Sequence, residues 1–176
     1  MNHDPSAFRG FWKSCGSLMK SSSMQGIHKP GLLRRGLKAV DSFGKSPAIT
    51  DDGKVIAGSG AIIDYVIRRH GAGRLQPDPF SAAFDDYMLW MHYAEGSAML
   101  PLLLKSNVSR LGAAGAPLSP RIESEIDNHL GYINASLEGR DYLLGEALTG
   151  ADIQLSVVEE LAGLRTDRAI CPNLDA

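Results

Sequence analysis

The apolar positions change their period along the chain, and the changes mark out its elements. Residues 1–29 hold neither sustained alternation nor a helical stripe, and Phe8, Phe11 and Trp12 are their aromatic cluster. Residues 31–40 predict a short helix with Leu33, Leu37 and Val40 on one side. It breaks at Phe43-Gly44-Lys45-Ser46-Pro47, where the proline has no amide donor and pushes Ser46 to an extended backbone. The β-compatible runs Ala48-Ile49-Thr50 and Val55-Ile56-Ala57 flank Asp52-Gly53 and predict a hairpin. A helix follows Gly58, with Ser59 as its expected N-cap. Ile62, Ile63, Val66 and Ile67 form its buried side, Arg68 and Arg69 fill its last turn, and Gly71 is its stop.

Ala72 to Pro79 reads as a linker, with Asp78 as N-cap and Pro79 as the first residue of the next helix. Beyond it the period is helical throughout. Phe84, Tyr87, Met88, Trp90 and Met91 recur at helical spacing, and Pro101 is expected to kink this helix or end a segment. Gly112 to Pro120 reads as a loop. A stripe of Ile122, Ile126, Leu130, Ile133 and Leu137 then runs up to Gly139. In Leu148-Thr149-Gly150-Ala151-Asp152-Ile153, Thr149 and Asp152 have capping-box spacing, and Leu148 and Ile153 flank them as a staple. That helix is expected to bury Leu155, Val158 and Leu161. A β-containing first part followed by an all-helical second part gives two domains. Residues 1–30 are unassigned and compatible with disorder, 31–76 form an α/β domain, and 79–176 form an all-helical one.

Composition narrows the function classes. With 176 residues, 44% hydrophobic and 22% charged, the chain can bury a core and is not globally disordered. No apolar run approaches the roughly 18 residues of a membrane span. Cys15 and Cys171 cannot make a disulfide framework, and a reducing, cytoplasmic setting is expected. The net charge of −2 hides an asymmetry. Residues 1–40 hold seven Lys or Arg against Asp4 alone, while the remainder is acidic. The head is also serine-rich, which resembles a transit peptide, but a poorly ordered or non-native terminus explains it better. It lacks the interleaved aromatics of a nucleic-acid surface. There is no Cys-x-x-Cys or His-x-x-x-His pair, and Gly71-x-Gly73 lacks the rest of a dinucleotide fingerprint. No metal, nucleic-acid or membrane partner is expected.

Three motifs, in order, carry a family resemblance. Gly44-Lys45-Ser46-Pro47-Ala48-Ile49, the hairpin and Ser59-Gly60-Ala61-Ile62-Ile63-Asp64-Tyr65 resemble the second half of the thioredoxin-like domain of glutathione S-transferases. Met91-His92-Tyr93-Ala94-Glu95-Gly96-Ser97 resembles the first helix of their C-terminal domain in a bacterial and fungal subgroup, and the Thr149–Asp152 box resembles that domain's capping box. The match covers roughly residues 37–162.

The resemblance implies an incomplete thioredoxin-like domain followed by the helical C-terminal domain of the family. It implies transfer of glutathione, the co-substrate, to small electrophiles in a homodimer, with detoxification as the role. A free thiol has a pKa of about 8.5, so such a site must favour the thiolate. By resemblance, a cis Pro47 aims the backbone of Ser46 at the tripeptide, which pairs as an added strand. Gly58, Ser59 and Gly60 start a helix whose amides take the γ-glutamyl carboxylate, and Lys45 meets the glycyl carboxylate. Trp90, Met91, His92 and Tyr93 read as packed core ahead of a hydrophobic substrate site. His92 reads as packed or hydrogen-bonded.

The chain also departs from the family pattern. Gly58 stands where the family usually has an acidic residue. Residues 1–29 hold no convincing first strand, so the pattern implies a member truncated or altered at its N-terminus. Ser14, Cys15 and Ser17 do not follow a strand, and no residue is assigned as catalytic. The rival reading is a non-catalytic binding or interaction module. Arg68, Arg69, Asp85 and Asp86 supply charges of both signs for a two-fold contact.

Overall fold

The computed structural model describes residues 47–163 and Asn173. The predicted helix over 31–40, together with Ser14, Cys15, Ser17, Lys45 and Ser46, lies outside the described residues. So does the peptide bond between Ser46 and Pro47. The described residues fall into two compact units, one ending at Ala72 and one starting at Gly73.

In the first unit β1 (Ala48–Asp51) and β2 (Lys54–Ala57) pair antiparallel, with Ile49 opposite Ile56 and Asp51 opposite Lys54. Asp52 and Gly53 make the two-residue turn, both at positive φ (46° and 79°). This is the mirror-type geometry that matches strand twist, and Asp-Gly is a favoured dipeptide for it. Alternation places Ile49 and Ile56 on one face, where they pack with Ile62 and Val66 of α1 (Ser59–His70) and the half-buried Tyr65.

The α1 helix starts one residue away from the expected cap. Gly58 is the N-cap, at φ 91° and ψ 134°, and Ser59 is the first helical residue. Only glycine adopts that backbone readily, so the chain turns into the helix at Gly58. Gly71 closes the helix through its amide to the Ile67 carbonyl (2.9 Å).

The second unit is helical: α2 (Ala82–Tyr93), α3 (Met99–Ser109), α4 (Ser119–Ser136) and α5 (Gly150–Gly163). The start of α2 differs from the expectation of an Asp78 cap and Pro79 at the first helical position. Asp78 instead folds a turn of its own, its carboxylate accepting from the Phe80 amide (2.8 Å) and its carbonyl from the Ser81 amide (2.9 Å) and hydroxyl (2.7 Å). That turn uses up Asp78, and Ser81 becomes the N-cap.

Between α2 and α3 the chain makes a π turn, Ala94–Ala98, with the Met99 amide reaching back to Ala94. Pro101 lies in α3 just beyond it and is buried. A proline offers no amide and its ring crowds the carbonyl one turn back. The wider turn accommodates that defect, and the helical path continues rather than ending. The expected loop after α3 is largely a 3₁₀ segment, Gly112–Leu118. Here Gly115 lies so close to α3 that a Cβ on it would stand 2.5 Å from the Val108 carbonyl oxygen.

Along α4 the stripe is buried from Ile122 to Ile133, and Leu137 is the C-cap. The α5 helix buries Leu155 and Val158 as expected, but Ala162 rather than Leu161. Its packed face also carries Ile153 and the buried Gln154. Packing joins α2 to α5 and α3 to α4. No helix among the described residues is long and apolar enough to cross a membrane.

Candidate functional site

Four of the six expected glutathione-binding positions are described, and they lie together in the first unit. The Gly58 amide donates to the Pro47 carbonyl at 3.0 Å, closing the ends of the hairpin. The start of α1 therefore sits beside Pro47. The first intrahelical bond runs from Ile62 to the Gly58 carbonyl (2.9 Å). The amides of Ser59, Gly60 and Ala61 thus belong to the first turn, where the helix dipole places partial positive charge. No acidic side chain lies in that turn. This arrangement can receive a carboxylate. The glycine at 58 has its own local reason, because an acidic residue there would be strained at φ 91°.

Behind this start, the far end of the unit is tied by groups the sequence reading did not single out. One carboxylate oxygen of Asp51 accepts from the Tyr65 hydroxyl (2.9 Å) and meets His70 Nε2 (2.9 Å). The Asp51 side chain is 12% exposed and that of His70 18%. The hydrogen bonds from His70 and then Tyr65 hold the Asp51 carboxyl below its ordinary pKa. In return Asp51 raises the pKa of the Tyr65 phenol. Lys54 lies over the Tyr65 ring, 5.7 Å from its centroid. No local sequence pattern connects them, because Asp51 lies 14 residues before Tyr65 and 19 before His70.

In the second unit Trp90 and Met91 are buried, which agrees with the packed-core expectation. His92 is exposed, contrary to its expected packing. The packed histidine is instead His129 of α4, whose Nδ1 lies 2.6 Å from the Tyr93 hydroxyl. Burial, and then the neighbouring Tyr132, push the Tyr93 phenol up to about 12. Tyr93 therefore stays protonated, and its hydroxyl shares this hydrogen bond with the His129 ring, the tautomer of the imidazole setting which group donates. The sequence signal here was spacing, since position 129 falls three residues after Ile126 and four before Ile133 on the edge of the apolar stripe. Tyr132 stacks on Trp90 (5.3 Å, 22°) and meets Tyr93 edge-on (5.3 Å).

Thr149 and Asp152 come together at the start of α5. One Asp152 oxygen accepts from the Thr149 amide (2.7 Å) and hydroxyl (2.7 Å), and the other accepts from the Leu143 amide (2.8 Å). The threonine hydroxyl donates to the carboxylate, which differs from the reciprocal capping expected of this spacing. Asp152 thereby fixes both the helix start and the loop before it. Among the described residues no group of three His, Cys, Asp or Glu side chains could hold a metal ion.

Comparison with known proteins places this geometry in context. Residues 24–75 match the family model described as glutathione S-transferase, N-terminal domain. The curated relative glutathione S-transferase 3 of Schizosaccharomyces pombe is 31% identical over 130 residues, which is 66% of this chain and 53% of that protein. The chain thus spans about half the length of this relative. A solved glutathione S-transferase from Actinobacillus pleuropneumoniae superposes with a TM-score of 0.71 at 28% identity, covering 80% of this chain and 65% of the other. A glutathione transferase family member from Pseudomonas fluorescens, solved with two glutathione molecules bound, gives 0.65 at 25% identity, covering 78% and 66%. The fold class is that of these proteins, thioredoxin-like in its first part and helical in its second.

Proposed function

We propose that this chain is a glutathione S-transferase that transfers the glutathione thiol to small electrophiles, a reading supported by its match to that family's N-terminal domain over residues 24–75 and by its 31% identical relative. The observation that carries this reading is the closure of Pro47 onto Gly58, which sets a helix start with no acidic side chain in its first turn beside the hairpin. In this reading residues 31–76 form the glutathione-binding domain and 79–176 the helical domain. Lys45 takes the glycyl carboxylate. The backbone of Ser46, aimed by Pro47, pairs with the extended tripeptide. The γ-glutamyl carboxylate rests on the amides that follow Gly58, with Ser59 and Gly60 closest to it. The thiol loses its proton to solvent, and the thiolate forms a carbon–sulfur bond as the leaving group departs with its electron pair.

The same reading makes the protein a cytoplasmic, homodimeric detoxification enzyme. Arg69 and Asp85 are exposed and suit a two-fold contact, whereas Asp86, also exposed, lines a cavity of the helical unit. Arg68, the fourth charge expected there, is held by Asp64 of its own helix at 2.7 Å. Retention on immobilised glutathione, followed by a chlorodinitrobenzene conjugation assay, tests the proposal. Retention with turnover is expected. Retention without turnover would replace the enzyme by a binding module, and the absence of both would remove the glutathione site altogether.

A further inference from the structure

The helical unit carries an open cavity of about 900 Å³ between α2, the end of α4 and the loop leading to α5. Its volume is in the range of small-molecule sites. Trp90 and Tyr132 give it an aromatic surface, and Asp86, Glu138 and Arg140 its charges. Trp90 is only 6% exposed and braces one ring face of Tyr132, which is itself 47% exposed. Tyr93 meets Tyr132 edge-on, so the half-open ring is held from two directions.

The opposite wall is fixed as well. Tyr142 and Gly145 exchange both backbone hydrogen bonds (2.9 Å each), Gly145 has φ 121°, and Asp152 holds the Leu143 amide. A ligand therefore meets a surface that is already ordered, which lowers the entropic cost of binding.

The charges select the ligand class. Two carboxylates and one guanidinium belong to its lining, and Arg140 Nη1 is directed at the Leu143 carbonyl of its own loop (3.4 Å). The faces of Trp and Tyr rings carry negative quadrupolar charge, which attracts cations. Carboxylate charge and ring quadrupole thus favour the same sign. We propose that this cavity binds a planar aromatic cation, its ring on Tyr132 and its positive charge balanced by Asp86 and Glu138. The site belongs to the helical unit and does not depend on the glutathione reading.

The test is fluorescence titration of the full chain with thioflavin T, a flat cation, beside anilinonaphthalene sulfonate, a flat anion. Saturable one-to-one binding of thioflavin T is expected, with the anion at least tenfold weaker. Converting both carboxylates to amides (Asp86→Asn with Glu138→Gln) should weaken thioflavin T about tenfold, while Arg140→Gln should not weaken it. Tyr132→Ala should lower the affinity about fivefold or more, and Tyr132→Phe should restore it.

Because the amide variants change surface charge and not packing, they keep the proposal testable even if Tyr132→Ala fails to fold. Equal affinity for the anion, or a dissociation constant within twofold in the amide variant, would overturn it. Displacement by glutathione would assign the signal to the glutathione site and overturn it too. A signal lost on raising protein concentration would show that a second copy occupies the cavity, with the same consequence.

Discussion

Ser59 opens α1 without capping it, and that separates its two possible roles more cleanly than sequence could. The cap belongs to Gly58, which has no side chain to contribute. If the γ-glutamyl carboxylate docks at this helix start, Ser59→Ala should weaken glutathione binding by roughly 1–3 kcal/mol, the cost of removing a donor from a charged group. Calorimetric titration measures this directly, and unchanged affinity would dismiss Ser59 as a ligand. Tyr93 makes a second prediction at this scale. Its folded pKa of about 12 lies above the ordinary value near 10. The folded state therefore favours the protonated phenol, and the contribution is complete below pH 10 and lost as pH rises through about 12. Alkaline titration followed by tyrosinate absorbance should show a step near 12 that disappears in Tyr93→Phe.

At the scale of elements, the hairpin and α1 are joined by a small apolar core and one carboxylate. Asp51 has a lowered pKa because His70 and Tyr65 hydrogen-bond its charged form. The sign follows from that direction. The stabilisation is present above about pH 4, where the unfolded carboxyl is ionised, and is lost as pH falls through the lower folded value. The melting temperature of the wild type should fall more steeply than that of Asp51→Asn between pH 4 and pH 2.5. Parallel curves would remove the carboxylate from the account of this joint. The approach of the 3₁₀ segment to α3 gives a further expectation. Gly115→Ala forces a methyl against the Val108 carbonyl and should destabilise the protein by about 1–3 kcal/mol, read from chemical denaturation. A neutral result would mean that the segment moves aside at no cost.

For the whole molecule, the proposed two-fold association rests on charge. An association through Arg69 and Asp85 would be screened by salt, because exposed pairs lose their attraction within about 8 Å at physiological ionic strength. Sedimentation should therefore show a dimer at low salt that weakens as salt rises, and weakens at low salt in Asp85→Asn. A monomer at every ionic strength would leave the charges as ordinary solvated groups.

The hairpin, α1 with its four buried aliphatics, and the stripe of α4 were legible in sequence. Each depends on local chemistry: an Asp-Gly turn, a 3.6-residue period, and glycines at Gly58 and Gly71. The order of Pro47, Gly58 and Ser59 along the chain was equally visible, and with it the outline of the proposed glutathione site. Other features depended on which groups found one another in space. Asp78 was spent on its own turn, so the cap of α2 passed to Ser81. The π turn before Pro101 absorbed a defect that reads in sequence as a break. His92 and His129 look alike as letters, and only the facing of α2 and α4 left one in water and set the other against Tyr93. Asp51, Tyr65 and His70 are 14 and 19 residues apart, too far for any local pattern to connect. Periodicity tells which face of an element is apolar, whereas the pairing of polar groups is decided when those faces pack.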